Sequence, residues 1–286
     1  MPTTRQGWLH LLRQLGVRPS KGLGQNFLFE RGVVDRLVQA AGIDDDDVVV
    51  EIGPGLGILT EELVRRARDV IAVELDSRLA LHLRQTFAGS ANFRVVEADA
   101  LELDLGGYLP PDQAFLVAAN LPYSSATAII RHLLEQPRRP RSLAVMVQRE
   151  VAERIAAEPP NMTILGIATR FYTVPRIAFT VPPDVFLPPP NVESAVVVLN
   201  VRQDLPLEPA LRPLFFRIVN AGFRQRRKQL ANTLAAELDL PKPDTIRWLT
   251  NNEIAPDRRA QTLALDEWLT LTQRAPDELI ATAQAP

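Results

Sequence analysis

Two short segments of this 286-residue chain carry residue types that could do chemistry. Asn120-Leu-Pro-Tyr123 sets an amide oxygen, a main-chain carbonyl, a stiffened turn and an aromatic ring in consecutive positions. An exocyclic amine on a nucleobase is a poor nucleophile, because its lone pair is delocalised into the ring. The side-chain oxygen of Asn120 and the carbonyl of Leu121 would accept its two protons, pull the nitrogen toward tetrahedral geometry and aim the lone pair at an electrophile. Pro122 stiffens the turn. Tyr123 offers a face on which an extruded base stacks, worth ~1–3 kcal/mol. Standing alone, the same four residues also describe a strand-ending turn with a buried tyrosine.

The second segment is Glu51-Ile-Gly-Pro-Gly-Leu-Gly57. Its glycines permit a tight turn and close backbone approach to a ligand. A dinucleotide fingerprint places its third glycine three positions after the second, whereas here Leu56 alone intervenes. Pro54 removes an amide that would cradle a pyrophosphate, and Glu51 sets a carboxylate where phosphates would lie. Glu74 and Asp99 follow at the ends of the next two apolar runs. An acid at the first of these places accepts from ribose hydroxyls, and one at the second meets an adenine amino group. Three such acids describe a pocket for an adenine nucleoside without phosphates. S-adenosylmethionine, with its positive sulfonium, fits that description.

These residues need a sheet to position them. Apolar runs at 47–52, 70–75, 93–98, 114–119 and 142–147 predict strands. Helical spacing occupies 56–67, 77–87, 125–135, 148–157 and 165–172, with Ser77 as an N-cap. Strands at 177–181 and 194–201, joined by a proline-rich loop, complete the region. Continuous apolar strands alternating with helices mean a doubly wound, mostly parallel α/β sheet. Past Pro206 and Pro209 only helical periodicity remains, at 211–221, 225–238, 244–251 and 265–274. The expected division is residues 1–205, a ligand-binding domain with an N-terminal arm, and residues 206–286, a small all-helical domain. The last ten residues are expected to fray.

Composition removes other chemistry. With no cysteine, thiolate metal sites, disulfides and thiol nucleophiles are excluded. The three histidines, His10, His82 and His132, have no ligand spacing, so no metal is expected. No apolar run approaches the ~20 residues of a membrane helix, and Met1–Gly16 lacks a signal-peptide core. A cytoplasmic monomer is the expectation. The net charge of −2 hides segregation. Residues 1–36 hold six basic against two acidic residues, and residues 37–205 hold 15 against 22. Arg224, Arg226, Arg227 and Lys228 cluster at an expected helix start. Four such phosphate contacts would give a log–log salt slope of about −3. Arg5, Arg13, Arg18 and Lys21 would extend a basic surface. Arg138, Arg139 and Arg141 lie in a proline-rich loop with an equal chance of facing solvent.

The ordered set of motifs resembles the KsgA/RsmA family, the small-subunit ribosomal RNA adenine dimethyltransferases. It opens with Lys21-Gly-Leu-Gly-Gln-Asn-Phe-Leu28 and continues through Glu51–Gly57, Glu74-Leu-Asp76, Asp99-Ala-Leu101 and Asn120–Tyr123. Gln148-Arg-Glu-Val-Ala-Glu-Arg154, Phe186-Leu-Pro-Pro-Pro-Asn-Val-Glu-Ser-Ala195 and Phe223-Arg-Gln-Arg-Arg-Lys-Gln-Leu-Ala-Asn-Thr-Leu234 close it. The resemblance implies a class I methyltransferase fold of Rossmann-like type and a helical RNA-binding domain. It implies that Asn26, Leu28, Gly53, Gly55, Glu74, Asp99 and Asn120 contact S-adenosylmethionine, with Glu51 near its methionine part. Asn120, Leu121, Pro122 and Tyr123 would hold the target adenine, and Phe186 would form a second aromatic wall. The implied reaction leaves S-adenosylhomocysteine. It dimethylates the 6-amino groups of two adjacent adenosines in a hairpin near the 3′ end of small-subunit ribosomal RNA, in the immature subunit.

Two readings compete. One is the related large-subunit enzyme of macrolide resistance, which would lack the Phe223–Leu234 motif. The other is a non-catalytic RNA-binding assembly or transcription factor, opposed by the intact set Glu51, Glu74, Asp99, Asn120 and Tyr123. The chain also departs from the family pattern. Ser124 stands where asparagine is usual, and Met162-Thr-Ile-Leu-Gly-Ile167 keeps only the leucine of a Tyr-Gly-x-Leu-Ser-Val segment.

Overall fold

A computed structural model describes residues 1–18, 25–225 and 227–284. The chain divides into two compact units, residues 1–152 with 175–201 and residues 153–174 with 202–286. The first unit begins with α1 (Arg5–Gln14), β1 (Phe27–Leu28), α2 (Arg31–Ala41), β2 (Val48–Ile52), α3 (Ile58–Arg66) and β3 (Asp69–Glu74). It continues with α4 (Ser77–Thr86), β4 (Phe93–Glu97), β5 (Phe115–Asn120), α5 (Ala126–Glu135), β6 (Ser142–Gln148) and the start of α6 (Arg149–Ala156). After α7 (Ile164–Tyr172) come β7 (Thr173–Val181), β8 (Phe186–Leu187) and β9 (Ser194–Val201).

Seven strands form one sheet in the order β4-β3-β2-β5-β6-β9-β7, and β1 pairs with β8 in a separate two-stranded ladder. From β4 to β6 neighbouring strands are parallel, while β9 runs antiparallel to β6. The chain steps outward from β2 through β3 to β4, then returns to the other side of β2 for β5. That reversal opens a crevice at the carboxyl ends of β2 and β5, where such sheets bind ligands. Val48, Val49, Val50, Glu51 and Ile52 are all buried, as a central strand covered on both faces requires.

Local chemistry fixes the helix ends. The Asp76 side chain accepts from the Arg78 amide, so it caps α4, and Ser77 is the first helical residue instead of the expected cap. A carboxylate there also complements the helix dipole. Gly42, with φ of 64°, ends α2 in the left-handed region. Two of the loop arginines are tied to protein. Arg138 donates to the carbonyls of Leu109, Pro110 and Gln113, and Arg141 pairs with the buried Asp47 at 3.1 Å.

In the second unit follow α8 (Arg212–Phe223), α9 (Leu230–Leu238), α10 (Lys242–Asn251), α11 (Leu265–Gln273) and α12 (Asp277–Gln284). Phe171, Phe215 and Phe216 form an aromatic cluster with centroids about 5 Å apart. Trp268 lies so close over Gly222 that a Cβ there would come within 2.4 Å of its ring.

Four expectations need correction. The division is no single cut after residue 205, because residues 153–174 belong with the helical unit. There Phe171 of α7 is fully buried in the aromatic cluster. Helix α9 begins at Leu230 and not at Gln225, so Arg224, Arg227 and Lys228 lie outside a helix start. Cations in a first helical turn would oppose the helix dipole. Strand β7 starts at Thr173, four residues before the expected strand. The C-terminal residues 277–284 form α12, which buries Leu279 and carries Asp277 and Glu278 in its favourable first turn.

Candidate active site

A cavity of about 490 Å³ lies at the crevice. Its first wall is the turn after β2. Gly53, Gly55 and Gly57 have φ of 66°, 58° and 87°, a region that side chains other than glycine's rarely tolerate. At Gly55 a Cβ would meet the Phe27 ring at 3.1 Å, so the turn and β1 are in close contact. The Gly53 amide donates to the Val73 carbonyl at 2.9 Å and ties the turn to β3.

Three carboxylates are set by these strand ends. Glu51 is 1% exposed and accepts from Thr60 Oγ1 at 2.7 Å. Burial pushes its pKa up to about 8, with the Thr60 hydrogen bond opposing and the nearby Glu74 charge adding. Glu74 is also buried, and burial raises its pKa. Its two oxygens accept from the amides of Gly55 and Asp76, each at 3.0 Å, which pulls the other way. Asp99, after β4, accepts from the Leu101 amide at 2.8 Å.

The second wall is the turn after β5. Asn120 Nδ2 donates to the Asn26 carbonyl at 3.1 Å, which turns Oδ1 the other way. Leu121 is buried and its amide donates to the Met146 carbonyl at 3.1 Å. Pro122 lies 3.9 Å from where a Gly53 Cβ would stand, so the two turns adjoin. The Tyr123 hydroxyl shares a 2.5 Å hydrogen bond with the Ser194 hydroxyl. Burial raises the tyrosine's pKa.

Asn26, Leu28, Glu51, Gly53, Gly55, Glu74, Asp99, Asn120, Leu121, Pro122 and Tyr123 all line this one cavity. Phe186 does not. Its ring is fully buried in the core, and Leu28, its antiparallel partner, lines the cavity instead. The expected second aromatic wall is therefore corrected, because pairing of β8 with β1 draws Phe186 inward. Arg224, Arg227 and Lys228 are exposed in the other unit, with Arg224 4.0 Å from Glu237. Arg226 and Lys21 lie outside the described residues.

Sequence reasoning missed several wall residues. Leu75 and Leu101 line the cavity although they are 56% and 37% exposed. The available signal was an apolar residue just beyond a strand-terminal acid. Asp76 also lines it, and Thr60 and Ser194 hold wall residues in place.

The wall tests what ligand fits. Among the described lining residues there is no Arg, Lys or His, while Glu51, Glu74, Asp76 and Asp99 all contribute. Such a wall disfavours phosphates and favours a cation. Leu75 and Leu101 give apolar faces for a flat base, and the volume suits a small molecule. A cationic adenine nucleoside fits. No group of three or more acidic or histidine side chains able to hold a metal occurs among the described residues. No described helix is long and apolar enough to cross a membrane.

The comparisons with known proteins agree with this chemistry. The family model for ribosomal RNA adenine dimethylase matches residues 18–277. Ribosomal RNA small subunit methyltransferase A of Dehalococcoides mccartyi is 42% identical over 255 residues, covering 89% of this chain and 88% of the relative. The protein of the same name in Geobacillus thermodenitrificans is 41% identical over 271 residues, 92% of each chain. Among solved structures, the 23S rRNA methyltransferase ErmE superposes with a TM-score of 0.71 at 28% identity, over 87% of this chain and 99% of its own. A dimethyladenosine transferase from Plasmodium falciparum gives 0.71 at 25% identity, over 86% and 95%.

The fold is that of a class I methyltransferase. The chain belongs to the ribosomal RNA adenine dimethylase family, and is an S-adenosylmethionine-dependent enzyme of that class.

Proposed function

We propose that the chain dimethylates the 6-amino groups of two adjacent adenosines in a hairpin near the 3′ end of small-subunit ribosomal RNA, in the immature subunit. The observation that carries the site assignment is one cavity with two adjoining walls. One is lined with carboxylates and the other is Asn120–Tyr123. The small-subunit substrate is supported by the relatives at 41–42% identity over about nine-tenths of the chain.

In this reading Glu74 accepts from the ribose hydroxyls, Asp99 faces the adenine amino group, and Leu75 and Leu101 flank the base. Asn26, Leu28, Gly53 and Gly55 complete the contacts, and Glu51 lies toward the cationic amino-acid end. S-adenosylmethionine supplies, when bound, a methyl group on a sulfonium. Asn120 Oδ1 and the Leu121 carbonyl accept the two protons of the target amine, and Tyr123 stacks on the target ring. The Asn26 carbonyl holds the Asn120 amide so that its oxygen is the free acceptor. No strongly basic side chain is required, because the amine proton becomes acidic only after transfer. Most of the acceleration comes from positioning, for which ~7–11 kcal/mol is available. The exposed Arg224, Arg227 and Lys228, together with Arg226, contact RNA phosphates. The enzyme acts as a cytoplasmic monomer without a metal.

Radiolabelled methyl transfer to unmethylated small subunits, and in parallel to large-subunit RNA, tests this reading. Digestion to nucleosides should give dimethyladenosine from the small subunit alone. Label in the large subunit would favour the resistance-type reading that the ErmE superposition allows. Donor binding with no label in either would indicate a binding protein.

A further inference from the structure

We propose that Ser194 is a positioning residue for methyl transfer, its buried hydroxyl holding the Tyr123 ring at the angle at which the target base stacks. This rests on the reading of Tyr123 as the stacking wall. Three observations carry it.

First, Ser194 is completely buried and its Oγ lies 2.5 Å from the Tyr123 hydroxyl, across 71 residues of sequence. Second, both partners hang from one strand. On one side of β6, Asn120 pairs with Met146, whose carbonyl also takes the Leu121 amide. On the other side, the β6–β9 ladder has Ser194 opposite Gln148 as its last rung. The Arg149 amide donates to the Glu193 carbonyl at 2.9 Å, and the Arg149–Glu193 ion pair at 2.7 Å fixes the residue beside Ser194. The antiparallel strand thus delivers a hydroxyl behind the target turn from a rigid frame. Third, Tyr123 is half-buried, with its hydroxyl at the Ser194 end and the residue among those lining the cavity. The hydroxyl is committed to Ser194, and burial keeps the phenol protonated. Tyr123 therefore acts through its ring and not as a proton acceptor. Small displacements of reacting groups cost rate heavily, so the tether should appear in kcat.

The test uses the full chain with unmethylated small subunits as substrate. Ser194→Ala is expected to lower kcat about five- to tenfold, with the KM for S-adenosylmethionine, subunit affinity and melting temperature little changed. Tyr123→Phe, which keeps the ring and loses the tether, should fall by the same factor. The double variant should be no worse than either single, because both remove one interaction. Multiplying effects, an unchanged kcat in Ser194→Ala, or a loss that follows melting temperature would overturn the proposal. A readout independent of turnover comes from NMR with ring-labelled tyrosine, of which the chain has three. The Tyr123 signal, identified by its loss in Tyr123→Phe, should shift in Ser194→Ala while those of Tyr108 and Tyr172 stay. An unmoved Tyr123 signal would sink the tether. A wild type that leaves small subunits unlabelled would instead sink the substrate reading, whatever the ring does.

Discussion

The cavity and the basic turn that follows α8 are opposites in both charge and exposure. The cavity gathers Glu51, Glu74, Asp76 and Asp99 without a lining cation among the described residues. Two of those acids are almost wholly buried. The turn sets Arg224, Arg227 and Lys228 in solvent, with the Glu237 carboxylate 4.0 Å from Arg224. Buried charge is costly unless a ligand or hydrogen bonds answer it, so each cavity residue should matter individually. Exposed cations are screened by salt, and each matters little alone. The net charge of −2 conceals this contrast, because it averages a site for a small cation with a surface for a polyanion.

The contrast is sharpest at Asn120. Asn120→Ala removes the acceptor aimed at the amine, so methyl transfer should fall about 100- to 1,000-fold, the scale for losing one preorganised hydrogen-bonding group. RNA affinity should stay within about threefold, the margin of a contact that touches no phosphate. Equal collapse of RNA binding would break the separation of the two regions. Glu74→Gln comes next. Only one of its two terminal atoms would remain an acceptor, so the Gly55 and Asp76 amides would compete with the ribose. Donor affinity, read by calorimetry, should drop about 10- to 100-fold, the worth of a hydrogen bond to a charged group.

Glu51 gives a prediction in pH. Its pKa is about 8 in the folded chain against an ordinary 4.5 when unfolded. Between these values the folded state holds a proton that the unfolded state has lost. Stability from this group therefore falls as pH rises through that window, and the loss is complete above about 8. Glu51→Gln should melt several degrees higher than wild type near pH 9, and the gap should close near pH 5. It should also bind the donor more weakly, since a cation at the amino-acid end favours the ionised carboxylate. A melting difference that does not vary with pH would show that Glu51 is already ionised.

The sequence made legible what is local. Apolar runs such as 47–52 and 70–75 announce their strands, and the acids Glu51 and Glu74 near their ends announce a cavity wall. Distant partners were invisible. Asn120 reaches Asn26 across 94 residues, and Tyr123 reaches Ser194 across 71. Two-residue β1 and β8 carry no periodicity, so nothing local told that Phe186 would be drawn into the core. The start of α9 was misjudged for an electrostatic reason, since glutamine, arginine and lysine at 225–229 are good helix formers by propensity but the cations there oppose a helix start. The C-terminal helix was missed because a short segment at a chain end is read as loose, while burial of Leu279 decides it.

The smallest effect belongs to the basic turn. Replacing Arg227 and Lys228 together by glutamine removes two phosphate contacts and touches no cavity residue. The log–log salt slope of RNA binding should flatten by about 1.4 to 1.8, at 0.7 to 0.9 per contact. At fixed salt, affinity should fall equally for the target hairpin and an unrelated one, because phosphate contacts carry no sequence information. With saturating subunits kcat should hold near the wild-type value, since the groups that orient the amine are untouched. A flat response of the slope would move the RNA surface away from this turn, toward the exposed Arg5, Arg13 and Arg18. A fall in kcat at saturation would mean that the exposed cations help to seat the base, and the contrast between the two regions would then be one of degree.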